Sequence, residues 1–412
     1  TPFGKVAESI AAISACPQVR YVEPNYMASI ADTIPSDPNW GLQYGLINIR
    51  APQGWDYATG SPAVTIAIID SGVDLNHADL SAKIVPGYDF VNGDSIPQDD
   101  NGHGTHVAGI AAASGNNGIG IAGVSWGARI MPIKVLNASG NGDFATVAAG
   151  IIWATNHGAQ VINLSLGGAS ASTVLQDAVN YAYGNGVLLA AAAGNTGSNF
   201  VLYPARYPNV IAVGAVDNAN NLTAFSNYGP ELDMVAPGAS IYSTTIGGYE
   251  YNSGTSMAVP YISGRAAILR GINNSPDSIT SEMESTALDL GPAGFDVSYG
   301  FGLIQLDKAL KLALPPAPTI FGGGGNLFFV PGAPTFIVNI TNTRTPAASP
   351  TVTSPTATST LSLPTIKPTT SAPTYQKRQM RVQSLPSWQL PCAGLAFLLA
   401  GLLLFWAVRR RR

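Results

Sequence analysis

The sequence contains little cysteine and little charge. Two cysteines, Cys16 and Cys392, occur among 412 residues, and both lie outside the apolar central region, so no disulfide framework can hold that region together. Low cysteine use fits an exported bacterial or archaeal protein as well as a cytosolic one. Charged residues make up 11% of the chain and the net charge is −4, with one dense basic run at 409–412. Since neutralising phosphates requires clustered lysine or arginine, these numbers argue against a nucleic-acid-binding protein.

The central region, about 35–313, is instead rich in Gly, Ala, Val and Ile. Short apolar runs alternate there with helical patterns, and Gly, Asp, Asn or Ser follows each run within a few residues. The runs are 64–69, 130–135, 161–165, 187–193 and 210–213. Strands that alternate with helices form a parallel sheet, with functional residues at the carboxyl ends of its strands. We therefore predict one α/β domain over 35–313, with a mainly parallel central sheet flanked by helices.

The composition changes after residue 313. We expect a short β segment over 314–344, and in 345–375, 21 of 31 residues are Pro, Ser or Thr. Such a composition buries too little apolar surface to fold, so we expect an extended linker over 345–388.

The last segment is apolar and ends in arginines. Residues 390–408 are 19 residues without a charge, and four arginines follow them. At about 1.5 Å per residue this run spans about 29 Å, close to a hydrocarbon core of about 30 Å. We expect a transmembrane helix over 389–408, a basic cytoplasmic stop at 409–412 and the central domain on the extracellular face. Two alternatives stay open: a buried helix, and a sorting signal at LPCAG (390–394), where the tail is cleaved and the protein is attached to the cell wall.

Three short motifs stand in order along the central region. TIAIIDSGVD is an apolar strand that ends in Asp70, NGHGTHVAGIAA places His103 before a Gly-rich helix entry, and NSGTSMAVPYISG places Ser256 at the start of a helical pattern. Each residue alone is commonly structural, as caps and turn residues are. Nucleophilic hydrolysis needs a hydroxyl, an imidazole that takes its proton and a carboxylate that orients the imidazole. The three motifs together supply all of these groups.

The motifs resemble those of the subtilisin-like peptidase family and are close to its thermitase-like members. The resemblance covers about 37–313 and implies a subtilisin-like three-layer fold and a serine endopeptidase. It makes Asp70 the orienting carboxylate, His103 the general acid and base, and Ser256 the nucleophile. His106 resembles the family's second histidine, which is structural. A helix that begins at Ser256 would also stabilise developing negative charge.

Acyl transfer also needs donors for the oxyanion. AAAGNTG places an amide directly after an apolar strand, and the resemblance makes Asn195 the oxyanion donor, together with the Ser256 N–H. NLSLGG (163–168) resembles the strand that pairs with an extended substrate. Backbone pairing of this kind tolerates many sequences, so we expect broad specificity. The substrate-binding residues implied are Ser165, Leu166, Gly167 and Gly194.

Three further positions bear on the cleft rather than on the chemistry. Val259 and Tyr261 stand where the family usually has Ser and His, and since both flank the triad, we expect altered packing at the cleft rim. Leu202, just before YPARYP, lies near the floor of the family's primary specificity pocket. An apolar residue there predicts a preference for apolar side chains.

The resemblance also implies a structural calcium ion. NNGIGIAGV (116–124) resembles the family's high-affinity calcium loop, and calcium is bound by about six to eight oxygens. A Gly-rich turn without an ion is the alternative. The implied ligands are the side chains of Asp37, Asp79 and Asn117 and the carbonyls of Gly115, Ile119 and Ile121.

Residues 1–34 resemble the end of the family's inhibitory pro-segment, with VRYVEPNY (19–26) as its last strand. We expect the chain to be a fragment of a longer precursor whose pro-segment inhibits the enzyme until it is cut between about 26 and 35. Cys16 would then be removed on maturation.

We therefore expect a secreted, membrane-anchored serine endopeptidase that is made as a zymogen and acts on protein or peptide substrates. A catalytically silent surface module that binds through the same cleft is the alternative from another class. That alternative predicts the loss of a triad or oxyanion residue, and none is lost. An acidic sedolisin-type peptidase would replace the histidine by carboxylates, and His103 argues against it.

Overall fold

The computed structural model describes residues 32–272 and 275–313, and a seven-stranded parallel sheet forms their centre. The sheet has the spatial order β2-β3-β1-β4-β5-β6-β7, and every neighbouring pair is parallel. The strands are β1 (Thr65–Asp70), β2 (Tyr88–Asp89), β3 (Arg129–Lys134), β4 (Val161–Leu164), β5 (Leu188–Ala192), β6 (Val210–Val216) and β7 (Met234–Pro237). The five apolar runs predicted as strands correspond to β1, β3, β4, β5 and β6.

Helices cover the sheet. Two long helices, α3 and α6, pack against each other and against the central strands, while α4 and α5 form a second packed pair. Almost every residue of the central strands is buried, as expected for a parallel sheet with helices on both faces. The predicted three-layer α/β fold is therefore confirmed. The helices are α1 (Tyr44–Asn48), α2 (Ala51–Trp55), α3 (His103–Ala112), α4 (Phe144–Asn156), α5 (Thr173–Gly184), α6 (Thr255–Arg270), α7 (Pro276–Thr286) and α8 (Leu306–Ala313).

A separate antiparallel hairpin lies outside the main sheet. It consists of β8 (Ile241–Thr245) and β9 (Gly248–Asn252), and the chain runs from β9 directly into α6. Strand β8 packs against α3. The hairpin therefore links the two helices whose first turns carry His103 and Ser256.

The strand order brings three predicted site segments to one edge of the sheet. Strands β1, β4 and β5 are consecutive neighbours. Asp70 is the last residue of β1, Ser165 follows β4, and Asn195 lies just after β5. Their carboxyl ends meet at the same edge, where ligands bind in sheets of this kind.

Several predicted segments lie outside the described residues. These are most of the pro-segment (1–34), of which only 32–34 are described, and all of 314–344, 345–388, 389–408 and 409–412. Within 32–272 and 275–313, no helix is both long enough and apolar enough to cross a membrane.

Candidate active site

Asp70 and His103 lie in hydrogen-bond contact. His103 Nδ1 is 2.8 Å from Asp70 Oδ1. The Asp70 side chain is fully buried, whereas 30% of the His103 side chain is exposed, so the ring joins a buried carboxylate to the cleft. Gly104 permits this close packing, because a Cβ on it would lie 2.1 Å from Gly72 O. The structure thus brings together two of the residues that the sequence singled out.

A second buried carboxylate, Asp99, supports this pair. Its Oδ1 accepts a hydrogen bond from Ser71 Oγ at 2.9 Å, and its Oδ2 accepts from Thr105 N and Oγ1 at 2.9 and 2.6 Å. Ser71 follows Asp70, and Thr105 lies in the first turn of the helix that begins at His103. Asp99 therefore fixes the position of His103 relative to Asp70.

These carboxylates favour the protonated form of the imidazole. Burial by itself lowers the pKa of His103, but the charge of Asp70, the hydrogen bond with it and the charge of Asp99 together outweigh burial. The pKa of His103 is therefore raised above its ordinary 6.5. A group that gains a proton this readily is suited to accept one from a nucleophile.

A buried lysine also contacts the turn after Asp70. Lys134 lies opposite Asp70 in the β1–β3 register, and its side chain is 1% exposed. Its Nζ donates to Ser71 O at 2.7 Å, Leu136 O at 2.9 Å and Asp100 Oδ1 at 2.6 Å. Because one ammonium bonds both strand ends and the loop before His103, it fixes the position of that loop relative to the strands.

Ser256 lies in the first turn of α6, beside the end of β4. Its Oγ donates to Ser165 O at 3.0 Å, and Ser165 Oγ donates to Ser256 O at 2.7 Å. Ser256 and His103 line the same cleft. Among the hydrogen bonds of the described residues, none joins His103 Nε2 to Ser256 Oγ, so the hydroxyl is held by the neighbouring strand.

The side-chain amide of Asn195 is held in one orientation. Its Oδ1 accepts from Thr255 N at 2.8 Å and from Thr255 Oγ1 at 2.9 Å. Since the oxygen is bound on that side, Nδ2 is the end that remains for a ligand. A Cβ placed on Gly254 would lie 3.3 Å from Asn195 Nδ2 and 3.6 Å from Ser256 N. Two donor nitrogens therefore lie close to one point beside Gly254, and Asn195 Oδ1 lies 3.7 Å from the same point.

The predicted substrate-binding residues lie on two neighbouring segments. The Leu202 side chain lies between two glycines: a Cβ on Gly194 would be 2.8 Å from Leu202 Cδ1, and a Cβ on Gly167 would be 3.1 Å from Leu202 Cβ. Leu166 is half-buried and packs on the core, and Ser165 is buried next to the nucleophile candidate. The absence of side chains at both glycines lets the apolar Leu202 side chain pack between the two segments.

His106 has surroundings unlike those of His103. It is fully buried, and its Nε2 lies 3.1 Å from Ile241 O and 3.3 Å from Glu250 O, in the two strands of the hairpin. Burial lowers its pKa to about 4, so the ring is neutral and Nε2 donates. This is a structural histidine that fastens α3 to the hairpin.

Val259 and Tyr261 belong to the core and not to the cleft rim. Val259 is fully buried and Tyr261 is 3% exposed. Tyr261 packs beneath α1, where a Cβ on Gly45 would lie 2.0 Å from its hydroxyl. The expectation of altered rim packing was therefore wrong, because the turns of α6 that carry these positions face the sheet and α1.

Three of the six residues implied as calcium ligands have side chains that meet in one cluster. Asp37 and Asp79 are buried at 4% and 0% exposure. Asn117 Nδ2 donates to Asp79 Oδ1 at 3.0 Å, and Asn116 N donates to Asp37 Oδ2 at 2.6 Å. Burial raises the pKa of Asp37, its backbone hydrogen bonds oppose this, and the charge of Asp79 adds to the increase.

The backbone of the same loop offers further oxygens. No described residue donates a hydrogen bond to the carbonyls of Gly115, Ile119 or Ile121, although Ile121 is fully buried. Buried carbonyls are normally paired, and two buried carboxylates side by side repel each other. Carboxylate and carbonyl oxygens are the ligands that calcium prefers, so these residues fit the ion. Asn117 turns its Nδ2 to Asp79, and its Oδ1 accepts from Ile119 N at 2.8 Å.

Known proteins share this arrangement of sequence and fold. The profile of the subtilase family matches residues 61–302. The chain belongs to the subtilase family. Thermitase from Thermoactinomyces vulgaris is 49% identical over 279 residues, which are 67% of this chain and 99% of thermitase. The thermophilic serine proteinase of Bacillus sp. (strain AK1) is 47% identical over 299 residues, 72% of this chain and 74% of that protein.

A solved structure agrees with these relatives. It is a protease from Pseudoalteromonas arctica PAMC 21717, with a TM-score of 0.64 and 34% identity, and the match covers 68% of this chain and 100% of that one. The chain is thus a serine endopeptidase of the subtilase family, homologous to thermitase and the subtilisins.

The supporting residues of this subtilase site carried little signal in the sequence. Lys134 stands inside the apolar run 130–135, which predicts a plain strand. Asp99 precedes a second aspartate, and nothing in their order indicates which one is buried. Thr255 carries no sequence signal beyond its place next to the nucleophile candidate. The spacing of an alternating strand would have indicated that Glu250 and Asn252 share a face, but the hairpin itself was not predicted.

Proposed function

We propose that Asp70, His103 and Ser256 form the catalytic triad of this subtilase, which hydrolyses peptide bonds through an acyl-enzyme. The observation that carries the proposal is the 2.8 Å contact between His103 Nδ1 and the buried Asp70 carboxylate, beside a cleft that His103 and Ser256 share. Because the carboxylate accepts from Nδ1, it fixes the tautomer that leaves Nε2 free to take a proton.

The nucleophile is released when substrate arrives. In the free enzyme the Ser256 hydroxyl donates to Ser165 O. A substrate N–H that pairs with the same carbonyl competes for it, and rotation of the serine side chain then brings Oγ to His103 Nε2. His103 takes the proton as Oγ attacks the scissile carbonyl, and it returns the proton to the leaving amine. Water hydrolyses the acyl-enzyme by the same proton transfers.

Asn195 Nδ2 and the Ser256 N–H bind the oxyanion. The support for this assignment is that both donor nitrogens lie close to one point beside Gly254, and that Thr255 occupies the amide oxygen with two hydrogen bonds. Donors fixed before the reaction stabilise the tetrahedral intermediate without reorganising, and one such donor lowers the activation barrier by about 3 kcal/mol.

The acyl side of the substrate pairs with the main chain of Ser165, Leu166 and Gly167. The side chain before the cut lies next to Gly167, Gly194 and the apolar Leu202. Backbone pairing is insensitive to sequence, so the enzyme is a broad endopeptidase with a preference for apolar side chains at this position.

A structural calcium ion is held by the loop after α3. Asp37, Asp79 and Asn117 supply side-chain oxygens, and Gly115, Ile119 and Ile121 supply carbonyls. The ion neutralises two buried carboxylates, and its contribution is to stability, not to the chemical steps.

The enzyme is made as a zymogen. Thr33 N and Oγ1 donate to Asp56 Oδ1 at 2.8 and 2.6 Å, so the chain from residue 32 onward is bonded to the mature domain. This supports a cut between about 26 and 31, the early part of the expected window, after which the residues before the cut leave as the inhibitory pro-segment.

The mature domain acts outside the cell. The linker 345–388 carries it away from an anchor at 389–408, and the arginines 409–412 remain in the cytoplasm. Mass spectrometry of the mature protein tests the C-terminal anchor. A chain that retains 390–408 supports the anchor, and a chain that has been cleaved at LPCAG supports attachment to the wall.

An active-site-directed fluorophosphonate distinguishes the peptidase from a silent binding module. The matured wild type should be labelled at Ser256, and Ser256→Ala should not be labelled. Ser253→Ala is a matched control, since Ser253 lines the same cleft but bonds Ser240 N instead. Equal labelling of wild type and Ser256→Ala, or none of wild type, would contradict the proposed nucleophile.

A further inference from the structure

The depression beside the triad is not lined by the segment proposed to pair with the acyl side of the substrate. A depression of about 350 Å³ is lined by His103 and Ser256 and, from strand β9 onward, by Glu250 and Asn252. Neither the 165–167 segment nor Leu202 is among its lining residues in the described part of the chain. If the acyl side of the substrate lies along 165–167, this depression receives the residues after the scissile bond.

The alternation of β9 directs Glu250 into this depression. Tyr249 Oη donates to Asp79 Oδ2 at 2.9 Å, and the Tyr251 ring lies 4.8 Å from that of Tyr242, so both tyrosines are engaged elsewhere. Glu250 and Asn252 alternate with them and therefore occupy the opposite face. Asn252 Nδ2 donates to Glu250 Oε1 at 3.0 Å, which steadies the carboxylate in the cleft.

The Glu250 carboxylate carries an unbalanced charge. It is exposed, and no lysine or arginine of the described residues lies within ion-pair distance of it. Apart from His103, every other residue that lines the depression is uncharged. A neighbouring acid, Asp100, is already paired with Lys134. The depression therefore presents one free carboxylate to the leaving-group side of the substrate.

We propose that Glu250 is a specificity-determining residue that makes the enzyme prefer lysine or arginine one or two residues after the scissile bond. The inference rests on the proposed function, because it needs the acyl side of the substrate to lie along 165–167. A substrate cation at this place would gain an ion pair and keep its contact with water. The gain should equal that of an exposed pair, roughly two- to fivefold in kcat/KM.

The test uses quenched-fluorescence peptides with one acyl side and with Arg, Gln or Glu at the first or second position after the cut. The wild type should cleave the best Arg peptide about two- to fivefold faster than its Gln counterpart. Glu250→Gln should bring this ratio close to one, and Glu250→Lys should invert it in favour of Glu. Asp177→Asn, which removes one exposed acid on α5, should leave the ratio at the wild-type value.

A second measurement isolates the leaving-group side. The acyl-enzyme partitions between water and an added amine, so argininamide should capture more of it than glutaminamide in wild type and an equal share in Glu250→Gln. A wild-type Arg/Gln ratio of one at both positions, or a ratio that Glu250→Gln leaves unchanged, overturns the proposal. Failure of all peptides to be cleaved would instead contradict the proposed triad, so the two outcomes are distinguishable.

Discussion

Replacing Thr255 by valine tests whether the residue next to the nucleophile holds the oxyanion amide in place. Thr255 is fully buried, and its Oγ1 and N–H both donate to Asn195 Oδ1, at 2.9 and 2.8 Å. Both bonds fix the oxygen end of the amide and so turn Nδ2 toward the space beside Gly254. Valine has nearly the shape of threonine, so Thr255→Val removes the hydroxyl bond and keeps the backbone one.

The expected loss is smaller than that of the whole amide. Asn195→Leu should lower kcat about 10²- to 10³-fold. Thr255→Val removes one orienting hydrogen bond of about 1 kcal/mol, which corresponds to a kcat roughly fivefold lower. KM should not change, because substrate pairs with 165–167. Unfolding should become easier by about 1–2 kcal/mol, since Gly194 N loses Thr255 Oγ1 as its acceptor at 3.2 Å.

The assay is the kcat and KM of one chromogenic peptide for wild type, Thr255→Val, Thr255→Ser and Asn195→Leu. Thr255→Ser keeps the hydroxyl and should behave like wild type. Urea unfolding is measured on sulfonylated enzyme, so that autolysis does not interfere. A Thr255→Val enzyme as fast as wild type would refute the orienting role. One as slow as Asn195→Leu would refute the magnitude, because the backbone bond would then contribute nothing.

Three further predictions concern pH and calcium. The raised pKa of His103 should place the acid limb of the kcat/KM profile above pH 6.5, and Asp99→Asn should move it down, because one of the charges that raise that pKa is lost; a limb that stays in place in this variant would contradict the role of Asp99. His106 has a folded pKa of about 4, below its unfolded 6.5, so the unfolded state gains a proton first as pH falls. Urea unfolding of inhibited enzyme should lose up to about 3 kcal/mol between pH 6.5 and 4, and His106→Gln should flatten this dependence. Calcium at 100 times its Kd should stabilise the folded state by about 2.7 kcal/mol and so raise the thermal unfolding midpoint. Asp79→Asn should abolish this increase, and an equal increase in this variant would place the ion elsewhere.

The main sheet could be predicted because its strands repeat one simple signal. Each of β1, β3, β4, β5 and β6 is a short apolar run closed by a turn residue, and burial on both faces makes such runs continuous. Two of the candidate site residues, Asp70 and Asn195, could be singled out for the same reason, since they lie at or just after the ends of such runs. Asp70 and Asn195 are polar residues at the ends of apolar strands, where polar residues need a partner or a function.

Other features depend on contacts between distant segments. The β8–β9 hairpin contains Thr, Tyr and Ser and has no apolar run, so its strands gave no signal. Lys134 is a cation within an apolar strand, and its burial is tolerated only because two carbonyls and Asp100 accept from it. The hydroxyl of Ser256 bonds Ser165 O, an arrangement that requires α6 to lie against β4. No local pattern encodes that packing.

The order of the strands, more than their positions, explains why the site forms. Adjacent strands lie about 4.8 Å apart, so the ends of β1 and β5, two strand spacings apart with β4 between them, are separated by roughly 10 Å. Helix α6 packs against both β4 and β5. Its first turn therefore reaches Ser165 O through Ser256 and Asn195 Oδ1 through Thr255, while His103 approaches from the side of β1. A variant that shifts α6 along the sheet should thus impair the nucleophile and the oxyanion donor together, whereas one that disturbs only the loop at Asp99 should affect His103 alone.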